Sequence, residues 1–201
     1  MCGIAGYIGK KTIGNKVINN LFSLMDNRGP DYKNCRQFIS RSGESINLFH
    51  SRLSIIDLKK RSNQPYEFKN YILIFNGEIY NYIELRKILK KKGAIFKTES
   101  DTEVLIQAYH YFGIKFLDLI EGMWSFAIYD KKKCKLILSR DRFGEKPLYY
   151  LFNEDGLYFS SEIKSFKSLN IFNSISHDNF NFFLNYGYNL NNNTIFSSIK
   201  K

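Results

Sequence analysis

Four places in this 201-residue chain carry side chains that together make a reaction site: Cys2, Arg52, the Asn76-Gly77 pair and Asp101. Removal of Met1 would leave Cys2 with a thiol and a free α-amine on one residue. The reference pKa values are about 7.7 for the amine and about 8.5 for the thiol. Near neutral pH the amine can therefore serve as base for its own nucleophile, directly or through one water. Taken alone, a cysteine here reads first as a small buried residue. Asn76-Gly77 closes the apolar run Tyr71-Ile72-Leu73-Ile74-Phe75. An amide side chain and a glycine N–H at that point suit an oxyanion hole, each donor being worth about 2.7–4 kcal/mol of barrier. The same dipeptide also reads as a plain turn. Arg52 lies in an otherwise apolar stretch, and its guanidinium fork fits a carboxylate, or else a surface ion pair. Asp101 falls in the first turn of a capped helix, where the helix dipole favours an ionised carboxylate able to hold an ammonium. A nucleophile, oxyanion donors and one charge of each sign match an α-amino acid with a side-chain amide. Glutamine is the natural candidate.

The elements that must hold these residues follow from periodicity. Residues 3–9 read as a buried strand that would fix the N-terminus, and Thr12 is placed to cap a helix over 13–26 with Val17, Leu21, Leu24 and Met25 on one face. Arg28-Gly29-Pro30-Asp31 forms a turn, and strands follow at 37–39 and 46–50. Residues 52–57 are apolar between two charges, as expected for a half-buried segment beside a site. The run 71–75 is apolar on nearly every residue, which predicts a strand covered on both faces and ending at Asn76-Gly77. Asn81 with Glu84, and Ser100 with Glu103, give capping-box spacings for helices reaching Gly93 and Gly113. Strands return at 124–129, 135–139, 147–152 and 157–160, the last two around Asp155-Gly156, and helical stretches at 162–169 and 177–185 close the chain. This is an α+β pattern, most simply two packed sheets with helices outside.

Composition narrows the classes. The chain is 44% hydrophobic and 16% aromatic, too apolar for disorder. No apolar run is long enough for a membrane span, and the N-terminus lacks a signal-peptide layout. Three cysteines without C-x-x-C spacing argue against a zinc site or disulfide framework and suit a reducing, cytoplasmic setting; no metal ligand set is expected. The net charge of +11 sits in short lysine runs on an asparagine-rich background, which reads as solvated surface rather than a nucleic-acid site.

Seven ordered motifs cover nearly the whole chain: residues 1–6, 28–31, 52–57, 75–81, 100–103, 121–127 and 140–150. In these the sequence resembles the glutaminase domain of glutamine-hydrolysing asparagine synthetases, class II glutamine amidotransferases with an N-terminal nucleophile. The resemblance implies a four-layer αββα sandwich of two antiparallel sheets between helices. It implies Cys2 as nucleophile, Asn76 and Gly77 as the oxyanion hole, Arg52 and Asp101 on the charges of the glutamine backbone, and Leu53, Ser54, Ile55, Ile56 and Glu78 lining the glutamine pocket. Two departures stand out. Asn27 occupies a position often held by histidine, and no phosphate-binding loop of the family's ATP-using domain occurs. The expectation is therefore a domain over 1–190, with 191–201 a tail or the start of a linker. No cofactor is expected within it. ATP and Mg would belong to a synthetase domain or subunit outside these residues, with a homodimer as a further expectation. That partner would dock where residues 187–201 mix Ile195, Phe196 and Ile199 with asparagines and lysines. Its acceptor would be aspartate, or another carboxylate such as a surface-polysaccharide sugar acid. The competing class is a non-catalytic module that binds glutamine or a partner without turnover.

Overall fold

The computed structural model describes residues 1–169, 171 and 174–201. The chain runs β1 (Gly3–Gly9), α1 (Asn15–Leu24), β2 (Tyr32–Ile39), β3 (Ser45–Arg52), β4 (Tyr66–Phe68), β5 (Tyr71–Ile79), α2 (Tyr82–Lys91) and α3 (Asp101–Phe112). It continues β6 (Gly122–Asp130), β7 (Lys135–Arg140), β8 (Tyr149–Asn153), β9 (Gly156–Ser160) and α4 (His177–Tyr186). Residues Ile163–Leu169 form 3-10 turns where sequence periodicity predicts a helix.

Two antiparallel sheets result, ordered β2-β3-β1-β9-β8 and β4-β5-β6-β7. Alternation along β5 shows how they stack. Ile72 and Ile74 enter an apolar cluster with Ile4, Ile46, Leu48 and Phe159 of the other sheet. Leu73 and Phe75 point the opposite way, into a cluster with Leu85 and Leu89 of α2 and Val104 and Leu105 of α3. On the far face of the first sheet, Ile18 and Leu21 of α1, with Met25 beyond it, cover Ala5 and Phe49. The order of layers is helix, sheet, sheet, helix, the expected αββα sandwich.

Several local expectations change. Thr12 does not cap α1. Gly14 is the N-cap residue, without a side-chain cap, and Ile18 rather than Val17 or Leu24 is buried on the packed face. Strand β2 is five residues longer than its apolar core suggests, because an edge strand needs only its ladder to β3 and tolerates polar side chains. Asn81 makes no side-chain cap on α2. Its amide donates to the Leu119 carbonyl at 2.9 Å and its oxygen accepts from the Glu121 N–H at 3.1 Å, tying α2 to the approach of β6. Residues 191–201, expected as a tail or linker, lie against the first sheet. Lys200 exchanges two backbone hydrogen bonds of 2.9 Å with Tyr150, and Ile199 is buried beside Tyr7 and Leu151. Ile199 is therefore not free to offer a docking face. Helix α4 has no buried residue.

Ser100 does cap α3, its hydroxyl accepting from the Thr102 N–H at 3.1 Å. Glu103 does not close a reciprocal box. Its buried carboxylate accepts from the Lys97 and Thr98 N–H groups and the Thr98 hydroxyl at 2.7–3.0 Å, and from the Gln107 amide at 3.2 Å. It thereby fixes the segment that leads into Asp101. Replacing Glu103 by alanine leaves those buried donors unpaired, so urea denaturation should show a loss of about 3 kcal/mol. A loss under about 1 kcal/mol would contradict this role.

Candidate active site

Strand β1 is paired on both edges, with β3 and β9, so the residues before it have little freedom. Its register sets Gly3 opposite Ser51, which carries Cys2 to the end of β3. The Leu53 N–H donates to Cys2 Sγ at 3.4 Å, and the thiol lies 3.6 Å from the Leu53 carbonyl oxygen. Burial pushes the Cys2 thiol above its ordinary pKa, against the Leu53 N–H, which pulls it down. Met1 is attached and half exposed, so the Cys2 nitrogen is an amide in this form. Next to this corner, Gly29 crosses the end of β3. A Cβ there would stand 2.2 Å from the backbone of Ser51, so only glycine fits.

From the second sheet, β5 contributes Asn76, Gly77 and Glu78. They do not end the strand. Asn76 pairs with Ser125 and Gly77 with Trp124 on β6, and the ladder runs on to Ile79. The turn interpretation of Asn-Gly is thereby excluded. Gly77 is needed because β6 passes close by: a Cβ would meet the Met123 carbonyl oxygen at 2.2 Å. Asn76 is buried, its amide 3.5 Å from the Ser125 hydroxyl. His50 joins the sheets just behind it, its Nε2–H donating to the Phe75 carbonyl at 3.1 Å. Complete burial pushes the His50 pKa down to about 4, so the ring is neutral at pH 7.

Helix α3 starts with Asp101, whose carboxylate accepts from the Ile79 N–H at 3.1 Å and the Ser100 hydroxyl at 3.3 Å. Burial outweighs these bonds and raises its pKa to about 6. The helix start therefore does not hold Asp101 as strongly ionised as its position alone suggests.

These elements meet around a cavity of about 150 Å³. Cys2, Arg52, Leu53, Ile55, Ile56, Asn76, Gly77, Glu78 and Asp101 all line it. Ser54 does not; its N–H turns away to the Asp31 carboxylate at 2.7 Å. Arg52 uses its fork on its own loop. It donates to the carbonyls of Ile56, Asp57 and Lys59 and to the Asn63 side chain, at 2.6–3.3 Å. Among the described residues it has no carboxylate partner, so its charge is left to the cavity. Lining residues that the sequence did not single out include Gln64 and Lys146. Gln64 accepts from the Phe75 N–H at 2.6 Å and donates to the Thr102 hydroxyl at 3.2 Å, joining β5 to α3. No local pattern marks such a link. Lys146 stands within the motif at 140–150, without a signal separating it from surface lysines.

A thiol on the second residue, an asparagine and glycine on a facing strand, and two opposite charges around one cavity can act on an amide of an amino acid. A family model, the glutamine amidotransferase domain, matches residues 1–201. The chain belongs to this family. It is 40% identical over 172 residues to asparagine synthetase [glutamine-hydrolyzing] 1 of Bacillus subtilis, and 39% identical over 170 residues to asparagine synthetase B [glutamine-hydrolyzing] of Escherichia coli. Each match covers 82% of this chain, but only 26% and 30% of those relatives. The chain thus spans under a third of their length. A glutamine phosphoribosylpyrophosphate amidotransferase of B. subtilis shares the fold, with a TM-score of 0.68 at 19% identity, covering 84% of this chain and 44% of that one.

The raised Asp101 pKa has a consequence for stability. The free folded domain binds this proton more tightly than the unfolded chain, so Asp101 contributes stability below pH 3.8 that is lost as pH rises through about 6. Relative to wild type, Asp101→Asn should therefore gain on the order of 3 kcal/mol between pH 4 and 7.5. His50 works in the opposite direction but cancels in the variant-minus-wild-type difference. Equal stability differences at the two pH values would contradict the assignment.

Proposed function

We propose that Cys2, freed at its amine by loss of Met1, attacks the side-chain carbonyl of glutamine. The α-amine takes the thiol proton and returns it to the departing nitrogen, so ammonia leaves and a γ-glutamyl thioester remains. Water then cleaves the thioester to glutamate and restores the thiol. In this reading the Asn76 amide and the Gly77 N–H hold the oxyanion. The Arg52 charge faces the substrate carboxylate and Asp101 the ammonium, while Leu53, Ile55, Ile56 and Glu78 shape the pocket. Ser54 supports the loop through Asp31 rather than touching substrate. The observation that carries the proposal is the convergence of Cys2, Arg52, Asn76, Gly77 and Asp101 on one cavity.

The ammonia would go to an acceptor activated with ATP and Mg by a synthetase domain or subunit, with aspartate giving asparagine. The names of the relatives support that acceptor. Helix α4 offers a docking face for such a unit, with Phe183, Leu184 and Tyr186 at least 41% exposed. Three free cysteines are consistent with a cytoplasmic setting. No described helix is long and apolar enough to cross a membrane.

The purified protein beginning at Cys2, given glutamine, aspartate and ATP-Mg, should release glutamate without forming asparagine. Asparagine made by these residues alone would contradict the assignment of the ATP chemistry elsewhere. Absence of glutamate would favour a non-catalytic module. Asn76→Ala should lower turnover about 10²–10³-fold with little change in glutamine binding. Equal losses in affinity and turnover would count against its oxyanion role.

A further inference from the structure

Lys146 is a buried cation in the nucleophile's cavity, with 6% of its surface exposed. Its loop is built firmly. The Asp141 carboxylate accepts from the N–H groups of Trp124, Phe143, Glu145 and Lys146 itself, at 2.9–3.3 Å. Among the described residues the Lys146 ammonium makes no ion pair. The polar contact it makes is with the Met1 thioether, 3.2 Å away, and a thioether is a weak acceptor. A buried lysine without a carboxylate is uncommon, since desolvation penalises its charge.

Met1 thus bridges two groups. Its carbonyl is bonded to the Cys2 nitrogen, and its side chain touches the Lys146 ammonium. Removing Met1 takes away the side chain that touches the Lys146 ammonium, leaves both groups on one cavity and turns the nitrogen into an amine. We propose that the Lys146 charge lowers the proton affinity of this new α-amine, holding it neutral and available as a base at lower pH. Lys146 is then a positioning residue acting through Cys2, and this inference rests on the reading of Cys2 as an N-terminal nucleophile.

The other charges around the cavity are of both signs. Arg52 from β3 binds its own loop and leaves its positive charge to the cavity, where it acts on Cys2 in the same direction as Lys146. Arg28, packed against Gly3 from the turn after α1, is paired with Glu162. Glu78 from β5 and Asp101 from α3 are acidic. Carboxylates beside an amine favour its protonated form, whereas a base must be neutral to accept the thiol proton. Met123, facing the cavity from β6, carries no charge.

The test uses protein beginning at Cys2, produced by cleaving a leader directly before it and checked by intact mass. With 15N-cysteine incorporated, the Cys2 amine is titrated by NMR without glutamine, in wild type, Lys146→Met and Lys146→Arg. Lys146→Met should raise the midpoint by about one pH unit, and Lys146→Arg should leave it near wild type. The acid limb of kcat/KM for glutamine should move by the same amount. Unchanged midpoints, an equal shift in both variants, or a higher KM without any shift would overturn the proposal. The titration does not need turnover. Wild-type protein that lacks glutaminase activity would therefore defeat the functional reading separately, whatever Lys146 does.

Discussion

The register of β1 against β3 is the constraint on which the site depends. Side chains alternate across a strand, so a slip of one residue would send Ile4 out of the core between the sheets. The same slip would remove Cys2 from the Leu53 amide. Pairing on both edges prevents this, with β3 on one side and β9 on the other. A side chain this close to a chain terminus would ordinarily fray. Here the strand behind it is among the most buried in the molecule. The second sheet is joined to this frame through the shared apolar layer and through His50, which reaches the Phe75 carbonyl immediately before Asn76.

The site collects charge at a cost in folding. Arg52, Asp101 and Lys146 are all nearly buried, and among the described residues none of them forms an ion pair. Each is held by neutral groups instead: loop carbonyls and Asn63 for Arg52, the Ile79 N–H and Ser100 hydroxyl for Asp101, the Met1 sulfur for Lys146. A core built for stability alone would avoid such groups. Their presence around one cavity makes sense if a zwitterionic substrate supplies the missing counter-charges. The same reasoning accounts for the Arg52 fork being spent on its own loop: it shapes the loop and still leaves an uncompensated positive charge facing the cavity.

Much of this was legible from residue types. The paired periodicities gave the two sheets and their outer helices, Ser100 marked the start of α3, and Cys2, Arg52, Asn76-Gly77 and Asp101 do line one cavity. What escaped the sequence depended on contacts between distant segments. Asn81 spacing resembles a cap, yet its side chain serves the approach to β6, 38 and 40 residues away. Asn-Gly resembles a turn, yet β6 runs alongside it and keeps it extended. The polar edge of β2 carries no periodic signal, and Lys146 looks like any other lysine until Asp141 folds its loop inward.

The central claim is that the free amine of Cys2 acts as the base for its own thiol. The most direct measurement compares glutamate release by protein that begins at Cys2 with release by the same protein retaining Met1, each form verified by intact mass. The account predicts turnover from the first and essentially none from the second, because an amide nitrogen cannot accept the thiol proton. Full activity with Met1 in place would contradict it.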